Sequence, residues 1–158
     1  MARNGNRCYR YEVVCMKKLY SLVISLAIFL YRKSGGRLGG RMQGGDVLLL
    51  TTMGRRTGKQ RTVPLIYIMD GSDYVLTAST GGAPKHPAWF FNLRANPQAV
   101  IQVKNRRFNV VAKVADKEKK RELWMRLVAA MPFYEAYQQK TTRDIPMLIL
   151  HPMDERTS

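Results

Sequence analysis

The sequence predicts an α+β fold, a six-stranded antiparallel barrel with flanking helices and an N-terminal helical arm. Three observations predict it. Short apolar or alternating runs recur between residues 46 and 150, and turn signals join most of them as hairpins. Helical stretches are inserted between and after these runs and do not alternate with them, which argues against βαβ units. Residues 34–45 (SGGRLGGRMQGG) carry six glycines, cannot form a stable helix, and set a basic apolar arm apart from the rest.

The elements follow in order. Asp46 precedes VLLLTT (47–52), an apolar run fit for a buried strand. The segment MGRRTGKQ then interrupts it with two glycines, and residues 61–70 (RTVPLIYIMD) are strand-like again, Pro64 marking an edge or a bulge. Asp70-Gly71-Ser72-Asp73 is a turn signal, so residues 74–79 return as a hairpin partner. A loop at 80–84 leads to a short helix over 86–96, stopped by Asn96-Pro97. Residues 99–103 and 107–115 are two strands joined at Lys104-Asn105-Arg106. Asp116 caps a helix reaching Met131, with Leu123, Trp124, Leu127 and Val128 on one stripe. Pro132 opens a second short helical turn, and IPMLIL (145–150) closes the barrel.

A chain of 158 residues suits one domain plus an arm, with the boundary placed between 1–45 and 46–158. Hydrophobic residues at 46% and charged residues at 24% exclude a disordered or collagenous chain. The net charge is +16, half of it within the first 45 residues. Such a balance favours anionic partners: nucleic acid, an anionic membrane surface, or a phosphorylated or polycarboxylate ligand. Nucleic acid is not expected, because the aromatics do not interleave with the cations as a stacking platform would.

The arm holds the apolar run 19–31 (LYSLVISLAIFLY) between Lys17, Lys18 and Arg32, Lys33. Thirteen residues are too few to span a bilayer, which takes about 20. The run reads as a helix packing on the domain or a partner, as a membrane-surface anchor, or, with no small-residue cleavage site after it, least well as a signal segment. The expected location is cytoplasmic, peripheral at the inner face of the membrane if the arm anchors. Cys8 and Cys15 make no disulfide framework, and His86 and His151 give no metal-ligand spacing, so no metal is expected.

Three constellations carry chemistry. The turn TTMGRRTGKQR (51–61) crowds four cations and three threonines about two glycines, a receptor for phosphate or carboxylate. It is no Walker A loop, since Gln60 follows the lysine and a strand follows the turn. The bend TASTGGAP (77–84) lets backbone approach a flat ligand closely, and the helix start beyond it adds donors. Trp89 and Asn92 share a face of that helix. Third, Tyr134 and Tyr137 share a face and can aim two hydroxyls into one pocket.

Together LLTTMGRRTGKQRTVPL (49–65), TASTGGAPKHPAWFFNLRANPQAVIQV (77–103), the paired tyrosines and IPMLIL resemble the deazaflavin-dependent nitroreductase and quinone reductase family. The resemblance covers about residues 30–152. It implies a split β-barrel of the FMN-binding-like type that binds coenzyme F-420, an 8-hydroxy-5-deazaflavin with a phosphate-linked oligoglutamate tail. By that resemblance Arg55, Arg56 and Thr57 face the phosphate, with Lys59 and Arg61 beside the acidic tail. Thr62, Val63, Pro64 and Leu65 line the strand beneath the cofactor. Ala78, Ser79, Thr80 and Gly81 touch the ring and its chain, and Ala88, Trp89 and Asn92 close the site. The implied reaction moves a hydride from C5 of the reduced deazaflavin to a hydrophobic electrophile, quinone-like or nitroaromatic, with menaquinone at the membrane as one candidate. Tyr134, Ser79 and Tyr137 are the candidates to stabilise charge arriving on the acceptor oxygen. Ile66 and Met131 stand where family members carry further tyrosines, so the acceptor pocket is expected to be greasier. An FMN-dependent reductase of the same barrel class, or a basic protein binding anionic lipid or nucleic acid without catalysis, is the alternative.

Overall fold

The computed structural model describes residues 5–153; of Cys8 and Cys15 only the helical backbone is described, and their side chains lie outside the described residues. Helix α1 runs Gly5–Ser34. Seven strands follow: β1 (Arg41–Met42), β2 (Gly45–Met53), β3 (Gln60–Asp70), β4 (Asp73–Thr77), β5 (Gln98–Val103), β6 (Arg106–Val114) and β7 (Met147–Pro152). Helix α2 (Ala88–Ala95) sits between β4 and β5, and α3 (Lys117–Ala130) and α4 (Phe133–Gln139) between β6 and β7. The strand order β2-β3-β4-β7-β6-β5 closes on itself through a β2–β5 pairing, every pair antiparallel. This is the expected six-stranded barrel. The extra strand β1 lies inside the glycine-rich stretch, where Arg41 and Met42 pair with Asp46 and Gly45.

The run at 47–50 lacks alternation because both of its faces are covered. Leu48 and Leu50 point into the barrel with Leu76, Ile101, Leu148 and Leu150. Val47 and Leu49 point outward and are buried with Val75, Met147, Ile149 and the α3 residues Leu123 and Leu127. Trp89, Phe90 and Leu93 of α2 join the interior cluster. Asp116 caps α3, its carboxylate accepting from the Lys119 amide at 2.9 Å.

Helix α1 ends as its sequence requires. Gly35 and Gly36 take φ of 61° and 79°, and the Gly36 N–H reaches back to the Tyr31 carbonyl at 2.9 Å, a six-to-one closure. Tyr31 is buried; its hydroxyl donates to the Val47 carbonyl and accepts from the Lys104 amide, both at 2.9 Å. One tyrosine thus stitches the last turn of α1 to β2 and to the β5–β6 turn. Ile24 and Ile28 on the same side are half-buried, while Leu19, Leu22, Val23, Leu26, Phe29 and Leu30 are exposed. The apolar run therefore packs along one face only. No described helix is long and apolar enough to cross a membrane.

Candidate active site

Strand β3 pairs with β2 along its whole inner length but with β4 only from Tyr67 onward. From Gln60 to Ile66 it has a neighbour on one side, so Pro64, which has no N–H to donate, costs no ladder bond there. A cavity of about 440 Å³ opens at this stretch. Val63, Pro64, Leu65 and Ile66 line one wall, and Thr77, Ser79, Thr80, Gly81, Pro87 and Trp89 another. Phe133, Tyr134 and Tyr137 of α4 form the third, and Ile24, Met42 and Gln43 the outer rim.

Gly82 explains how close the second and third walls come. A Cβ on it would lie 2.6 Å from the Tyr137 carbonyl, so only glycine lets α4 approach the turn, and its φ of 81° suits glycine too. At Gly81 (φ 63°) an added Cβ would meet nothing within 4 Å, so this turn presents open backbone to a ligand.

Of the sequence-predicted residues, Val63, Pro64, Leu65, Ser79, Thr80, Gly81, Trp89, Tyr134 and Tyr137 line this cavity. The others lie around it. Arg55, Arg56, Thr57, Lys59 and Arg61 are exposed on or just beyond the β2–β3 turn. That turn is held by its own backbone: the Gly54 amide donates to the Lys59 carbonyl at 2.8 Å, and the Gly58 amide to the Gly54 carbonyl at 2.7 Å. The Arg55 guanidinium lies 4.9 Å over the Phe91 ring. Among the described residues none of these four cations forms an ion pair.

Asn92 is buried and braces that turn from α2. Its Oδ1 accepts from the Arg55 amide at 3.2 Å and its Nδ2 donates to Thr52 Oγ1 at 3.0 Å. Thr62 pairs across the strands with Thr51, hydroxyl to hydroxyl at 2.8 Å. Ala78 is fully buried within the barrel interior, so its methyl group does not reach the cavity, and Ala88 stands exposed at the first turn of α2. Ile66 lines the cavity, whereas Met131 is buried beyond it, against Gly45.

Tyr134 is buried, and burial pushes its phenol up to about 12, the neighbouring Tyr137 adding to the shift. Its hydroxyl therefore keeps its proton throughout the physiological range and has that proton available to donate. The Tyr134 and Tyr137 rings meet edge-on at 5.6 Å, and Phe133 stacks on Tyr134 at 4.7 Å. Ile24, Met42 and Gln43 reach the cavity without having been singled out in the sequence, and Thr77, Pro87 and Phe133, which stood within or beside its motifs, reach it without having been given a role. Phe133 carried a usable signal, as the neighbour of two tyrosines on a seven-residue helix; Ile24 carried none.

Residues 25–152 match the family model described as F420H2-dependent quinone reductase. An F420H2-dependent quinone reductase of Mycobacterium tuberculosis is 40% identical over 126 residues, covering 77% of this chain and 84% of that protein. A solved F420-H2 dependent reductase is 39% identical with a TM-score of 0.61, over 66% of this chain and 93% of that one. A second structure, a domain-swapped dimer, is 39% identical with a TM-score of 0.62, over 66% and 79% of the two chains. With a split-barrel architecture, an intact order of motifs and a family match across most of its length, the chain belongs to the F420H2-dependent quinone reductase family.

Proposed function

We propose that the cavity takes the deazaflavin ring of F-420 between the free edge of β3 and the Ser79–Gly81 turn, with its phosphate and acidic tail on Arg55, Arg56, Lys59 and Arg61. The fit rests on the residues present. A flat ring needs close backbone approach, which the turn at Gly81 offers. A polyanion needs cations that no carboxylate among the described residues already matches, which the β2–β3 turn supplies. When bound and reduced, F-420 supplies a hydride to an electrophilic acceptor.

The chain's own residues bind and orient. Val63, Leu65, Ile66, Trp89 and Phe133 give the cavity apolar walls suited to a quinone-like ring. Tyr134 donates a hydrogen bond to the acceptor oxygen as negative charge arrives there, assisted by Ser79 and Tyr137. The proton that completes reduction comes from solvent, because a phenol at about 12 does not give it up readily.

The acceptor is menaquinone-like, met at an anionic membrane surface. The six exposed apolar residues of α1 and the exposed Arg32 and Lys33 beyond them support this, since such a helix lies with its apolar face among lipid chains and its cations at headgroups. Ile24 on the other side of the same helix lines the cavity rim.

The observation that carries the catalytic assignment is a single chamber in which an open-backbone turn, an apolar strand edge and two phenols face one another. The test is fluorescence titration with F-420, then anaerobic turnover with reduced F-420 against short-chain quinones and nitroaromatics. Micromolar binding with faster quinone turnover is expected; failure to bind F-420 overturns the proposal. The membrane part is tested by substitution, because deleting α1 would also remove buried Tyr31. The triple variant Leu22→Ser/Leu26→Ser/Phe29→Ser should lose sedimentation with phosphatidylglycerol vesicles while retaining turnover of a soluble quinone; unchanged sedimentation removes the arm as anchor.

A further inference from the structure

Arg143 lies between α4 and β7 and does not line the cavity, yet its guanidinium is committed to the segment that does. Nε donates to the Ala83 carbonyl at 2.8 Å. Nη2 donates to the carbonyls of Ala78 and Ser79 at 3.1 and 2.7 Å. Nη1 meets His86 Nδ1 at 3.0 Å. One side chain therefore grips residues 78–86 before, after and beyond the bend.

That bend needs a grip. Thr80, Gly81 and Gly82 all take positive φ, of 50°, 63° and 81°. Glycine accepts this region freely, but a β-branched threonine does not, so a free turn would relax. The anchoring also aims groups. In a trans peptide the N–H opposes its C=O, and no cis bond is present. Carbonyls of Ala78 and Ser79 held on Arg143 therefore direct the amides of Ser79 and Thr80 away from it. Ser79, Thr80 and Gly81 all line the cavity, which Arg143 does not.

The choice of residue fits the task. Burial disfavours the Arg143 charge, and among the described residues carbonyl dipoles and the imidazole, not a carboxylate, compensate it. Only a planar fork of five donors can serve four acceptors from one position; an ammonium is a compact point charge and cannot. His86 must be neutral at Nδ1 to accept, and it is packed 4.8 Å from the Phe90 ring.

We infer that Arg143 is a positioning residue for the cofactor: it fixes the 78–83 turn so that the Ser79 and Thr80 amides face the deazaflavin ring. The inference rests on the cofactor placement proposed above. Arg143 itself touches neither cofactor nor acceptor.

The experiment compares wild type, Arg143→Lys, Arg143→Ala with and without millimolar methylguanidinium, and His86→Phe, which keeps the aromatic packing and removes the acceptor. Thermal unfolding is followed for each protein, and F-420 affinity, KM and kcat for reduced F-420 and for a short-chain quinone are measured well below each unfolding midpoint. In Arg143→Lys, F-420 affinity should fall at least about tenfold, as for lost charge-assisted bonds. KM for reduced F-420 should rise in parallel and KM for the quinone stay within about twofold. Methylguanidinium should restore most of the affinity to Arg143→Ala, and His86→Phe should weaken binding by a smaller factor. Arg143→Lys and His86→Phe both binding F-420 like wild type overturns the inference, as does a loss in which both KM values rise together and methylguanidinium restores nothing. If wild type itself ignores F-420, the placement fails, and the inference with it. Should Arg143→Ala not fold, the other two variants decide.

Discussion

Strand β3 ends in two turns that treat charge in opposite ways. At the β3–β4 end the charges are acidic and answered within the chain. Asp70 meets Lys119 at 2.9 Å and Arg126 at 2.8 Å, and Asp73 meets His151 at 2.9 Å. Hydrogen bonds from Lys119 and then Arg126 hold the Asp70 carboxyl below its ordinary range. At the β2–β3 end Arg55, Arg56, Lys59 and Arg61 have no carboxylate among the described residues and are positioned by backbone bonds and Asn92. The first turn spends its carboxylates on α3 and β7. The second leaves its charges open. Net charge alone says little about a ligand; which charges remain unmatched says more.

The sharpest way to break this contrast is Arg55→Ala/Arg56→Ala. Two exposed charge-assisted contacts to a phosphate are lost, so F-420 affinity should fall by about 100-fold or more. Among the described residues neither guanidinium makes an ion pair, so the thermal midpoint should move by only a few degrees. An affinity loss below threefold would move the phosphate elsewhere.

The cavity also holds a buried phenol that stays uncharged, Tyr134. Tyr134→Phe should lower kcat for quinone by about 100-fold, as for loss of one donor to a developing oxyanion, with F-420 affinity unchanged within twofold. The pH–rate profile should show no ionisation of this group below about pH 10, because burial holds it near 12. Equal turnover in Tyr134→Phe would remove its role.

Much of the barrel was legible because its signals are local. Asp70-Gly71-Ser72-Asp73 and Lys104-Asn105 mark hairpins through turn chemistry, and Asp116 marks the start of α3. The family motif around Arg55 and Ser79 was equally local. What stayed hidden depends on distant packing. Arg143 sits in TTRDIP, a stretch without pattern, and acquires its role only when α4 brings it to carbonyls about 60 residues upstream in the chain. Ile24 lies in a uniformly apolar run, which cannot say which of its residues the barrel will cover. Ala78, one residue past β4, continues the alternation of Leu76 and keeps its methyl in the barrel interior, which its place in the motif does not reveal.

At the acidic end, Asp70→Asn should cost about 1 kcal/mol of stability, within what partly exposed ion pairs contribute, and leave F-420 affinity untouched. The sign with pH follows from the lowered carboxyl. Its contribution is present above the unfolded-state value near 4 and is lost as pH falls through the still lower folded value. Asp70→Asn should therefore flatten that part of the acid unfolding curve, followed by circular dichroism. A variant that loses cofactor affinity as well would show the two ends to be coupled.

The two histidines report the two environments, and they supply the smallest effect. His151 faces the Asp73 carboxylate. His86 faces Arg143, with Arg94 also raising the cost of its charge and Asp144 partly offsetting it; burial is the largest cause, and its pKa lies below the ordinary value. A lowered pKa means that protonation disfavours the folded arrangement, so the His86 contribution is complete above about 6.5 and declines as pH falls toward the folded value. A protonated His86 can no longer accept from Arg143, and the turn loses one of its four anchors. As pH falls from above 6.5 through the lowered folded value of His86, F-420 affinity should therefore fall about two- to threefold more in wild type than in His86→Phe, a difference of well under 1 kcal/mol. Ionisations of F-420 itself are common to both proteins and cancel in the ratio. Parallel pH profiles would mean that His86 packs beside the turn without holding it.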